Sequence, residues 1–120
     1  MDQNSNSNKK FDLEDRTYEF ALAVTLYCKK LPRTISNIEY IKQATRSSAS
    51  PAANYIEANE SLSKKDFQLR IKICRKEAKE TILWIKLIIN TNSEEFLEEG
   101  QKLMQEATEL KKIFSAILNK

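Results

Sequence analysis

The sequence predicts an all-α fold, an antiparallel four-helix bundle, and three observations carry that expectation. Gly occurs once and Pro twice in 120 residues, too few for the turns of a β-rich fold. Four stretches repeat apolar residues at spacings of three and four, the helical period. The connections between them are short, which pairs consecutive helices antiparallel. A chain of this length fits one domain and buries about 65% of its unfolded surface, enough for one core. Residues 1–10 lack apolar content and are expected to form a disordered polar tail, with the bundle domain spanning 11–120.

Helix one is expected from Leu13 to Leu31, with Asp12 as its N-cap. Leu13, Thr17, Phe20, Val24, Tyr27 and Leu31 form its core stripe, and Pro32 ends it. Helix two is expected from about Ser36, where Ser36 and Glu39 have the spacing of a capping box. Ile38, Ile41, Thr45, Ser48, Ala52 and Ile56 form its predicted apolar stripe. Ala44 to Ala53 is almost wholly small residues, which marks a tight packing seam. Pro51 falls inside it and removes one backbone hydrogen bond. A kinked single helix is the preferred reading over two helices broken at residues 49–51.

Helix three, Ser63 to Thr91, carries three distinct stripes. Phe67, Ile71, Cys74, Ala78, Ile85 and Ile89 form one apolar stripe. Leu69, Ile73, Trp84 and Leu87 form a second. Lys64, Lys65, Lys72, Arg75, Lys76, Lys79 and Lys86 form a basic stripe that occupies a sector of roughly 120° at the helical period. A bundle helix needs one apolar stripe for its core, so the second predicts an oligomer interface. Ser63 and Asp66 resemble a capping box. Ser93 is expected to cap helix four, Glu94 to about Leu118, whose acidic first turns suit the helix dipole. Phe96, Leu103, Ala107, Leu110, Phe114 and Ile117 form its stripe, and Gly100 should weaken it by up to about 1 kcal/mol relative to Ala.

The formal net charge is only +3, but it is unevenly distributed. Residues 61–92 carry +5, eight cations against three acids, while 93–120 carry −2, four against six. A positive field concentrated on one element suits an anionic partner; the alternative is a solvated, solubilising face. Lys and Arg at helical spacing can follow a phosphate backbone. No aromatic residue interrupts that face, so RNA or DNA binding would be led by phosphates and tolerant of sequence.

Other chemistry is poorly supported. The chain has no His, hence neither the commonest general base nor the commonest transition-metal ligand. Glu57 with Glu60, and Glu77 with Glu80, have the i,i+3 spacing of di-metal bundles, but those sites need Glu-x-x-His motifs. Cys28, Cys74 and the serines 47, 48 and 50 lack a base to activate them, and no glycine-rich loop cradles a phosphate. The reading is therefore a non-enzyme without metal or cofactor. Cys28 and Cys74 lie on apolar stripes, without redox or zinc spacing, which fits a reducing, cytoplasmic setting. The polar N-terminus reads as no secretory signal, and no run approaches the roughly 18 apolar residues of a membrane span.

One block of the sequence carries a resemblance. Arg46, Ser47, Ser50, Ala53, Asn54, Glu57 and Ala58, then Ser63, Lys64, Asp66, Phe67, Lys76, Glu77, Ala78, Glu80, Thr81, Trp84 and Leu87, are similar to the pattern of the bacterial proteins encoded by intervening sequences of 23S ribosomal RNA genes. Pro51 stands where that pattern has Val or Ile. The likeness extends over about residues 11–119. It implies an antiparallel four-helix bundle assembled as a ring, in known cases a homopentamer. One branch, the accessory variability determinant of diversity-generating retroelements, implies binding to nucleic acid and to a reverse transcriptase. Within the matched block, Asn54 and Glu57 are expected to join helix three in a polar network with Arg46, Glu77 and Glu80, or with Arg70.

Overall fold

The structure is a computed structural model that describes the backbone of residues 9–120 and side chains from Leu13 onward. Four helices follow in order: α1 (Lys9–Lys29), α2 (Ile35–Asn59), α3 (Lys64–Thr91) and α4 (Leu97–Leu118), with a 3₁₀ turn at Glu94–Phe96 leading into α4. No strand occurs among the described residues. Residues 1–8 of the expected tail lie outside the described residues. Lys9 and Lys10 already belong to α1. Asp12 is therefore inside the helix and not its N-cap: the residues from Lys9 contain no breaker and Lys is a good helix former.

The α1 stripe is buried as expected, from Leu13 through Thr17, Phe20, Val24 and Tyr27 to Leu31. Thr17 fits an apolar environment because its hydroxyl donates to the Leu13 and Glu14 carbonyls, 2.9 Å each. A buried hydroxyl without such partners would be costly.

The expected face of α2 is wrong by about one residue. The buried positions are Asn37, Ala44, Ser47, Ser48, Pro51, Tyr55 and Ala58. Ile38 and Ile56 of the predicted stripe are 41% and 52% exposed. The seam is selected by size and hydrogen bonding rather than by hydrophobicity, because small residues let α3 approach closely. Ser47 Oγ lies 2.8 Å from Thr81 Oγ1 in the buried α2–α3 contact. The Asn37 and Asn92 amides donate to each other, at 2.8 and 2.9 Å. This pair ties the start of α2 to the end of α3. The α2 cap also differs from expectation. Thr34, not Ser36, is the N-cap, and its side chain accepts from the Asn37 backbone at 3.1 Å.

α2 runs unbroken through Pro51 as one helix, not two broken at residues 49–51. Proline supplies no N–H to the Ser47 carbonyl one turn earlier. On the far side, the Cys74 thiol donates to the Pro51 carbonyl at 3.4 Å.

α3 turns its first stripe inward: Ile71, Cys74, Ala78 and Ile85 are buried and Phe67 and Ile89 half-buried, while Thr81 and Ile88, outside the expected stripe, are buried as well. Each fully buried Ile contributes about 1.5–3 kcal/mol. Ser63 caps the helix as expected, accepting from the Asp66 amide at 3.0 Å. α3 packs most extensively on α2 and then on α4, while the α1–α4 contact is the smallest of the four between neighbouring helices. Ser93 does not cap α4. Its hydroxyl donates to the Glu95 carboxylate at 3.1 Å, and the 3₁₀ turn makes the entry. The α4 stripe is buried at Phe96, Leu103, Ala107, Leu110 and Phe114.

Gly100 has a role beyond the local weakening its helix propensity predicts. A Cβ there would lie 2.6 Å from Tyr27 Oη and 2.7 Å from the Ile89 side chain. The Tyr27 hydroxyl is fixed because it donates to the Phe96 carbonyl at 2.8 Å, and its ring meets the Phe96 ring edge-on. The missing side chain is what lets α1, α3 and α4 converge.

Candidate nucleic-acid interface

The basic stripe follows from the period of α3. With Ile71, Cys74 and Ala78 facing inward, the intervening cations must face outward. Lys64, Lys65, Lys72, Lys76, Lys79 and Lys86 are exposed, and Arg75 is half-buried. From Lys64 to Lys86 the stripe extends about 33 Å at the helical rise.

α4 adds what one helix cannot supply. Lys72, Arg75, Lys76 and Lys79 form one wall of a cleft of about 420 Å³, and Lys111 and Ser115 of α4 form the other. The Arg75 guanidinium donates to Ser115 Oγ at 3.4 Å, a long contact that steers it across the cleft. Lys64, Lys65 and Lys86 lie outside the cleft. Among the described residues, the one ion pair made by any of the cleft cations is Lys76 with Glu77, at 3.9 Å. The shortest pairs are elsewhere: Arg16–Glu106 at 2.7 Å and Lys30–Glu99 at 2.8 Å. Like charges gathered in this way raise the local positive potential and favour an anion. Lys111 and Ser115 were not identified from sequence. They are spaced i,i+4 on one face of α4, the one signal available.

The other expected site residues are more dispersed. On the second stripe Leu69 is 55% exposed, and Ile73 and Leu87 are half-buried. Trp84 is half-buried against Tyr40 of α2, ring centroids 6.3 Å apart, so part of its surface already serves the chain's own core. Leu83, not included in the expected interface, is 50% exposed beside it. Of the polar network, Asn54 and Arg70 do meet: Arg70 Nη1 donates to Asn54 Oδ1 at 3.0 Å. The Asn54 amide donates to the Ser50 carbonyl and hydroxyl. The other members do not join. Arg46 donates to Gln43 on its own helix, and Glu57 and Glu80 point to solvent. Glu77 has the distant Lys76 contact. Long acidic side chains gain more from hydration than from a loose surface pair. The buried ties between α2 and α3 are instead Ser47–Thr81 and Asn37–Asn92.

Both thiols are buried and unpaired. Burial pushes the Cys28 thiol up to about 11 and that of Cys74 to about 12, which leaves both as poor nucleophiles. Burial likewise raises the Tyr27 phenol to about 12. An apolar cavity of about 720 Å³ opens at one end of the bundle among Leu13, Tyr55, Phe67, Ile113 and Ile117. Most of its polar rim is already engaged, Arg16 with Glu106, Asn59 with Glu14 and Ser61 with the Glu57 carbonyl, which leaves Lys120. It therefore lacks the free convergent polar groups of a specific ligand pocket.

Fold and surface together define a small all-α bundle with one concentrated feature, a cationic cleft between two helices. Among the described residues no group of three or more His, Cys, Asp or Glu could hold a metal ion. No described helix is long and apolar enough to cross a membrane. The chain belongs to the 23S rRNA-intervening sequence protein family, whose sequence profile matches residues 9–116. It is also similar to a crystal structure of a protein of unknown function from the S23 ribosomal protein family of Bacteroides thetaiotaomicron VPI-5482. The TM-score is 0.79 at 29% identity, covering 93% of this chain and 99% of that one. No functionally curated protein matches the chain significantly.

Proposed function

We propose that the chain is a non-enzymatic homo-oligomer, a pentameric ring on the family resemblance, whose α3–α4 cationic surface binds RNA or DNA. The observation that supports this reading is the cleft in which Lys72, Arg75, Lys76, Lys79 and Lys111 converge. Its walls hold cations and one hydroxyl, with no aromatic platform. Contact is therefore to phosphates, with little discrimination among bases. An oligomer repeats the surface, and avidity lets modest single-site affinity hold a strand. A reverse transcriptase as the partner served by such a complex rests on the resemblance to the retroelement branch alone.

The test is a fluorescence-anisotropy titration with labelled single-stranded RNA and DNA between about 50 and 200 mM salt. Each phosphate contact contributes about −0.7 to the log–log salt slope of a single strand, so affinity should fall steadily with salt. Lys72→Glu, Arg75→Glu and Lys79→Glu together should abolish binding while the helical circular dichroism is kept. Absence of binding at the lowest salt, or binding indifferent to salt and to the triple variant, would reject the reading.

A second reading, an adaptor ring that binds a protein with the cations merely solubilising, is favoured by the exposure of Leu69 and Leu83. Partner binding through those apolar side chains would persist at salt concentrations that release nucleic acid.

A further inference from the structure

We infer that the α3–α4 cleft receives the terminal phosphomonoester of a nucleic-acid strand, with the internal phosphodiesters that follow lying along the rest of α3. This rests on the nucleic-acid reading above and adds which phosphate goes where. The cations are not evenly distributed along the stripe. Lys72, Arg75, Lys76 and Lys79 fall within two turns of α3, and Lys111 faces them from α4. They enclose a depression, whereas Lys65 and Lys86 stand about 10 Å beyond Lys72 and Lys79 on either side, at the helical rise.

An internal phosphodiester brings one negative charge and two free oxygens. Five cations around one such group would meet only about half the negative charge that a terminal phosphate brings. A terminal phosphate carries about −1.5 to −2 near neutral pH and offers three acceptor oxygens. Arg75, steered by Ser115, presents a planar fork that can bond two of those oxygens at once. The lysines, Lys111 among them, approach as mobile point charges. Beyond the cleft, Lys86 in one direction and Lys64 and Lys65 in the other offer fewer cations, suited to single diesters.

The experiment compares one oligonucleotide, internally labelled, with a 5′-phosphate, with a 3′-phosphate, and with hydroxyls at both ends. One or both phosphorylated forms should bind at least about fivefold tighter than the hydroxyl form, the scale of one or two added charge-assisted hydrogen bonds. The 5′ and 3′ arms identify which end is accepted. Lys111→Gln should collapse that ratio towards one. Lys86→Gln, outside the cleft, should weaken all forms alike and leave the ratio intact. Equal, salt-sensitive binding of all three forms would overturn the terminal-phosphate inference while sparing the nucleic-acid reading. A preference that survives Lys111→Gln would place the terminal phosphate elsewhere and overturn it as well. Failure of every form to bind would reject the nucleic-acid reading itself, and the inference with it.

Discussion

Single atoms decide much of this bundle, and Gly100 is the clearest case. Replacing it with Ala improves helix propensity by up to about 1 kcal/mol. The new Cβ, however, would meet Tyr27 Oη at 2.6 Å. That hydroxyl cannot retreat without losing its bond to the Phe96 carbonyl, and Tyr27 is fully buried. Overpacking of this kind costs about 1–3 kcal/mol, so the clash outweighs the propensity gain. Gly100→Ala should therefore lower the midpoint of guanidinium unfolding. Adding Tyr27→Phe to it should cost less than the sum of the two single changes, because the second removes an atom that the first strikes. An unchanged or raised midpoint for Gly100→Ala would show that the helices do not approach as closely as described. Asn37 and Asn92 are the polar counterpart: each amide satisfies the other, and truncating either leaves a partner unsatisfied at about 1–3 kcal/mol.

At the scale of the element, α2 and α3 separate what sequence can and cannot disclose. The core stripe of α3 was legible because Ile71, Cys74, Ala78 and Ile85 contrast with the cations between them, so the period fixes the orientation. α2 lacked that contrast. Its isoleucines, at 38, 41 and 56, suggested a face, but the seam against α3 admits only small or hydrogen-bonded residues. A scale of hydrophobicity does not rank Ser47 and Asn37 above Ile38. The candidate site divides in the same way. The cations of α3 were readable from spacing along one helix. Lys111 and Ser115 were not, because the cleft joins residues more than thirty positions apart. The period within α4 does not say which neighbour each of its sides meets. The rotated face of α2 is directly testable. Ile38→Glu should change the unfolding free energy by no more than about 0.5 kcal/mol, as for an ordinary surface position. Ala44→Leu, in the seam, should destabilise by about 1–3 kcal/mol through overpacking. The reverse ranking would restore the face expected from sequence.

For the whole molecule, the proposed ring makes a demand that a dimer does not. A closed ring of three or more identical chains uses heterologous contacts, so each copy needs two different surfaces that fit each other. Two candidate surfaces can be chosen from the exposed apolar side chains. One is on α3, with Leu69 and Leu83; the other spans α1 and α2, with Tyr18, Leu22 and Ile56. If these sets meet head to tail, damage to either should dissociate the ring. Leu69→Asp with Leu83→Asp, and separately Tyr18→Asp with Ile56→Asp, should each reduce the mass by light scattering to that of one chain, 13.9 kDa. Each double variant keeps one intact surface. Mixed in equal amounts, the two should form a species of two chains and stop there, since the remaining surfaces of that pair are both damaged. A twofold-symmetric interface behaves differently: one of the two variants would leave assembly untouched, and mixing would rescue nothing. The substituted positions are exposed, so each variant should keep its helical circular dichroism. Loss of assembly can then be distinguished from loss of fold.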